Sequence, residues 1–173
     1  MIRSQTKRIA LCGIMAAVSV VILLLGGVLG LGIYLAPMIA GLILVPVGRS
    51  CGTKYHVMLW LVVSALAFLL VPEIEEDLMY FLLFGWYPIL YPRLGKLPGW
   101  FRLGVKLLLF NAVFISVECL LMWVLVPQAV EPLYFAVLLA LGNLMFLCYD
   151  RAIPGGLLLL KKLMKPHSAG RDR

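Results

Sequence analysis

The chain has 173 residues, of which 64% are hydrophobic and 13% charged, and its mean hydropathy is +1.06. A soluble domain of this length cannot hide that much apolar surface, which excludes a soluble module and points to an integral membrane protein made almost entirely of spans. The net charge of +7 is no argument for nucleic acid, because the Lys and Arg residues sit in short clusters between apolar runs, where they set orientation.

The N-terminal MIRSQTKR followed by an apolar run mimics a signal peptide, but no A-x-A site follows, so the run is read as a retained first span, 9–25. A single helix from Ile9 to Val47 would be ~58 Å long at 1.5 Å per residue, against a hydrocarbon core of ~30 Å. The chain must therefore turn, and the Gly-rich stretch Gly26 to Gly32 is the natural place, giving a second span over 33–47. The loop Gly48 to Lys54 leads to a third span, 55–71, stopped by Pro72. The acidic run Glu73 to Asp77 follows. A short fourth span, 75–91, is interrupted by Gly85 and Pro88 and needs part of that acidic run, or local thinning of the bilayer, to cross. The fifth span covers 103–126 and the sixth 133–150. After Pro154, LLLLKKLMK (157–165) is too short to span and reads as an interfacial basic helix, with a disordered tail over 166–173.

Charge placement supports this all-α, six-helix transmembrane bundle. With the N-terminus inside, all 15 Lys and Arg fall on the inner side, while the outer loops hold Glu73, Glu75, Glu76, Asp77 and Glu131. That split predicts a multi-pass cell-membrane protein with both termini cytoplasmic. The cysteines, Cys12, Cys51, Cys119 and Cys148, form no CxxC pair, so neither a disulfide framework nor a metal site is expected. His56 and His167 are isolated, and His56 is expected at the interface. There is no HExxH, GxSxG or P-loop pattern, so no enzyme activity and no cofactor are expected.

The polar residues inside spans carry the candidate chemistry. Glu118 lies in the middle of the fifth span, where a carboxylate costs at least ~2.5–3.5 kcal/mol and is kept for a partner, a cavity or a ligand. Asn111, seven positions earlier, shares its helical face, and Asn143 lies at similar depth on the sixth span. These three either form a ligand site or hydrogen-bond across helices for structure. Trp86 and Tyr87 flank the break at Gly85 and Pro88. Broken membrane helices often line binding sites, and the plainer reading is a kink with an interfacial aromatic belt. On the first span Gly13 and Ala17 form a small-xxx-small pair, a face for a partner helix or for internal packing.

Six spans, inward termini, a small-residue face on the first span and the second span with its loop, APMIAGLILVPVGRSCG (Ala36 to Gly52), resemble the substrate-binding S components of energy-coupling factor transporters. The first helix of that family carries Ala-x-x-x-Ala, matched here by Gly13 and Ala17. The resemblance implies capture of a small nutrient near the outer side, together with a transmembrane coupling subunit and cytoplasmic ATPases. An alternative is a non-catalytic scaffold of the cell-envelope machinery, similar to the rod-shape protein MreD, in which Glu118 packs against a partner.

Overall fold

The computed structural model describes residues 5–30, 34–124 and 132–163. These residues form an all-α bundle. Its elements are α1 (Gln5–Leu29), α2 (Leu35–Ser50), α3 (Thr53–Leu70), α4 (Ile74–Met79), a π-helical turn (Tyr80–Phe84), α5 (Tyr87–Leu94), α6 (Gly99–Val124) and α7 (Pro132–Leu163). Four stretches are long and apolar enough to cross a membrane: Arg8–Leu29, Thr53–Leu70, Gly99–Trp123 and Leu133–Gly155. Large apolar side chains cover the outside, with Leu69 at 78% and Trp123 at 85% exposure, a surface suited to lipid and not to water.

α2 is the hub. At 16 residues it is short, and it packs against α1, α3, α5, α7 and the π turn. On one side lies an aliphatic core of Leu23, Leu44, Val47, Val63 and Ala67, closed by the Tyr80 ring. On the other lies an aromatic core in which Phe84, Tyr87, Phe110, Phe114, Phe146 and Tyr149 pack together. Within it the Phe110 and Phe146 rings stack with centroids 4.9 Å apart. The two cores meet at the interrupted fourth segment.

Two expectations are corrected. The first helix does not stop at Gly26: it runs to Leu29, and the turn begins at Gly30, whose φ is +60°. Gly26 and Gly27 stay helical because they serve close approach. A Cβ on Gly27 would lie 2.8 Å from Val71 Cγ1, and one on Gly26 would overlap the Ala36 Cβ. At the other end α7 is continuous through Pro154 to Leu163, so no separate interfacial helix begins at 157. A long apolar helix carries the chain past the proline, because the neighbouring turns hold it even though one backbone donor is missing. His56, expected at the interface, is 2% exposed and packed within the bundle. The tail over 166–173 and Glu131 lie outside the described residues.

Gly41 shows how tightly α2 meets the π turn. A Cβ there would overlap the Phe84 carbonyl and sit 2.9 Å from the Tyr149 hydroxyl. Gly13 has nothing within 4 Å of an added Cβ. Gly41→Ala is therefore expected to lower the thermal unfolding midpoint in detergent, at an overpacking cost of about 1–3 kcal/mol. Gly13→Ala should leave it unchanged or raise it, since Ala is the better helix former by roughly 0.5–1 kcal/mol.

Candidate functional site

The break in the fourth segment sets the positions of the polar groups. Gly85 N–H bonds to the Tyr80 carbonyl at 2.8 Å, the wider π-type closure, which leaves neighbouring carbonyls free of helix partners. Each is capped by a side chain. Trp60 Nε1–H reaches the Phe81 carbonyl at 3.2 Å and Trp86 Nε1–H the Leu82 carbonyl at 2.6 Å. The Tyr149 hydroxyl donates to the Phe84 carbonyl at 3.0 Å, and His56 Nε2 lies 2.9 Å from the Gly85 carbonyl. That contact requires the proton on Nε2.

At one end of this segment is a cluster that joins three elements. Tyr34, at the start of α2, places its hydroxyl 2.6 Å from Oε1 of Glu75 on α4 and 3.1 Å from Oε1 of Glu118 on α6. Its ring is held against Phe114, one turn before Glu118, at a centroid distance of 5.7 Å. All three polar groups are half-buried. A phenol carries one proton, so it satisfies one carboxylate at a time. Two acids converging on one hydroxyl repel each other unless a proton or a cation joins them.

The Asn pair is a separate feature. Asn111 Nδ2 donates to Asn143 Oδ1 at 3.2 Å, and Asn143 Nδ2 donates back to Asn111 Oδ1 at 2.7 Å. The second Asn143 donor contact, to the Leu139 carbonyl at 2.8 Å, ties it to its own helix. The amides close on each other across α6 and α7, and Glu118 lies about 10 Å further along the helix axis at 1.5 Å per residue.

Trp86 and Tyr87 do not meet Glu118 either. The Tyr87 hydroxyl donates to Asp150 Oδ1 at 2.5 Å, and the same carboxylate binds Lys106 Nζ at 2.6 and 2.7 Å. Lys106 is on α6 twelve residues before Glu118, ~18 Å away along the helix. Lys106 is only 5% exposed, and its ammonium also lies 4.5 Å from the centroid of the Tyr91 ring. This buried ion pair locks α6 to α7 at the opposite end of the bundle from Glu118. Gly13 and Ala17 both face outward on α1, free of intramolecular packing, whereas Cys12 and Ala16 pack inward.

Sequence reasoning missed Tyr34, Glu75, Lys106 and Asp150 as site residues. Lys106 was detectable: with Phe110, Phe114 and Val117 it falls at i, i+4, i+8 and i+11, the buried face of α6. Asp150 stands at the end of the sixth span beside Arg151, a neighbour of opposite charge, so nothing local points to Lys106 as its partner. Tyr34 gave no signal, because its role depends on where the turn at Gly30 delivers it.

No family model, curated protein or solved structure matches this chain.

The ion pair yields a stability test. Lys106→Met leaves the Asp150 carboxylate buried and is expected to cost about 3–5 kcal/mol, read as a lower unfolding midpoint in detergent. The double variant Lys106→Met/Asp150→Leu removes both charges and should recover most of that loss, because no unpaired buried charge remains.

Proposed function

We propose that the chain is the substrate-binding membrane subunit of a nutrient-uptake transporter and takes a small cationic solute from the outer side at Tyr34, Glu75 and Glu118. The observation that carries this reading is the convergence of two carboxylates on one phenol hydroxyl, inside a bundle whose surface is apolar. An organic ammonium supplies several N–H donors and the positive charge that such a pair lacks. In this reading both termini are cytoplasmic, as the charge split implies, and Glu73, exposed at the start of the acidic run, lies outside, where it draws cations toward the site. The Asn111–Asn143 pair then serves as the interhelical tie beneath the site, and Glu118 rather than the pair meets the solute.

The exposed Gly13–Ala17 face supports the second half of the reading. It is the surface on which a transmembrane coupling subunit docks, bringing cytoplasmic ATPases to the complex. Small residues allow the close helix approach that drives association in lipid. The envelope-scaffold alternative also accommodates an exposed small-residue face, but it gives no role to two acids sharing one hydroxyl.

Two measurements test these halves. A panel of small organic amines and neutral analogues is screened by thermal shift on the gently purified protein, and the best binder is titrated. Glu118→Gln or Glu75→Gln is expected to weaken that amine about ten- to hundredfold, the equivalent of a charged hydrogen bond worth ~1.5–3 kcal/mol. Undiminished affinity in both variants removes the cluster from the site. For docking, Gly13→Leu/Ala17→Leu should abolish co-purification of membrane partners while leaving the unfolding midpoint of the isolated chain unchanged, and retained co-purification refutes that face.

A further inference from the structure

Two neighbouring cavities lie at the end of the bundle that holds the Lys106–Asp150 pair. The first, of about 170 Å³, is partly polar: Arg49 near the end of α2 and Thr53 and His56 in the first turn of α3 line it. Ile153, three residues past Asp150 on α7, forms part of its wall. Arg49 and Thr53 are exposed, whereas His56 is buried and held on the Gly85 carbonyl. The second, of about 290 Å³, is a groove between α3 and α5, walled by Val57, Trp60 and Trp86 and bounded by the exposed Arg93. Ile89 of α5 lines both spaces.

The order of residues along the two helices gives this cleft a direction. Thr53, His56, Val57 and Trp60 follow one another on a single face of α3. Trp60 lies seven residues from Thr53, and Trp86 seven from Arg93, ~10 Å in each case at 1.5 Å per residue. The polar and basic groups therefore stand at the turns between helices, and the indole rings lie about two turns deeper. Both indoles have committed their N–H to backbone carbonyls, Trp60 to Phe81 and Trp86 to Leu82. Trp60 also stacks on Phe81, with ring centroids 5.3 Å apart. The rings are thus fixed and present only apolar surface to the groove.

No Asp or Glu lines either cavity, and among the described residues neither Arg49 nor Arg93 has an ion-pair partner. A guanidinium matches a phosphate with paired N–H donors, and the aromatic groove matches a hydrocarbon chain. Neither space reaches the ~300–1,000 Å³ of a pocket that encloses a whole drug-sized solute, which favours an elongated amphiphile lying past Ile89. A free phosphate would leave the groove unused. We infer that this cleft binds an anionic phospholipid, its phosphate between Arg49 and Arg93 and one acyl chain along Trp60 and Trp86. The Thr53 hydroxyl is a further donor to the headgroup. Basic pockets between membrane helices hold acidic lipid headgroups by this combination of charge and apolar contact. The site is independent of the solute reading, since it lies at the opposite end of the bundle from Tyr34, Glu75 and Glu118.

The test uses the full chain in detergent, stripped of lipid and titrated with dioleoyl phosphatidylglycerol, dioleoyl phosphatidylcholine or glycerol phosphate. Binding is read by native mass spectrometry and by thermal unfolding. Phosphatidylglycerol should bind on the order of tenfold more tightly than phosphatidylcholine and raise the unfolding midpoint. The preference should shrink as NaCl screens the contact, and glycerol phosphate should leave the midpoint unchanged. Arg49→Gln and Arg93→Gln, both at exposed positions, should each lower phosphatidylglycerol affinity about fivefold. Val57→Phe, which fills the groove, should lower it with both arginines in place. Lys96→Gln, which removes an equally exposed charge outside the cleft, and Glu118→Gln should not change it. The proposal is overturned if the two lipids bind alike, or if glycerol phosphate stabilises the protein as much as the lipid, which marks a free-anion site. It is also overturned if the Arg49→Gln/Arg93→Gln variant retains its affinity, or if Lys96→Gln loses as much as either arginine variant.

Discussion

The structure depends on satisfying a broken backbone in a place without water. The fourth segment cannot continue as an α-helix through its π turn and Gly85, and each carbonyl it frees would cost about 1–3 kcal/mol if left bare. Trp60 and His56 from α3, Tyr149 from α7 and the local Trp86 supply the missing donors. These bonds fix the distances from the segment to α3 and α7, and α2 can then reach it only through the bare backbone at Gly41. The break thereby becomes the element around which the bundle is registered, and the short helices on either side of it are aimed by it.

The polar groups follow from that aim. α4 is presented so that Glu75 meets α6 and the start of α2, while Glu76 lies against Gly26 of α1. α5 is presented so that Tyr87 joins the Lys106–Asp150 pair. Charge is handled differently at each place. Lys106 and Asp150 neutralise each other at 2.6 Å with a tyrosine hydroxyl on the same carboxylate. Such a pair contributes little net stability but makes any single loss costly, and so fixes the pairing of α6 with α7. Glu75 and Glu118 share one phenol proton. Glu76 and Asp77 have no partner for the oxygens that face inward.

Small residues divide the labour in a similar way. Gly26, Gly27 and Gly41 are buried at helix contacts where an added methyl group meets a neighbour, whereas Gly13 faces open space on α1. The same residue type therefore serves internal packing at one end of a helix and remains available to another helix at the other. Composition does not separate these roles, because both require the same absence of a side chain.

The sequence by itself determined the class of the protein and the partition of its chain. Apolar runs of span length, separated by charged or Gly- and Pro-rich punctuation, permit little except a bundle of membrane helices, since only a helix satisfies its own backbone in lipid. It also singled out Glu118, because an acid within an apolar run is expensive wherever the run folds. Tertiary structure decided which polar groups meet. Asn111 and Glu118 share a helix face, yet one is closed by Asn143 and the other by Tyr34, because α7 and the start of α2 bring side chains to α6 at different heights. The acids of Glu73 to Asp77 read as an outer loop leading into the fourth span, since nothing local shows that residues 74–79 form a helix with its faces covered by α1, α2 and α6. Helical periodicity fixes which side chains share a face, but the height and rotation of neighbouring helices are set by long-range packing, and those decide what each face touches.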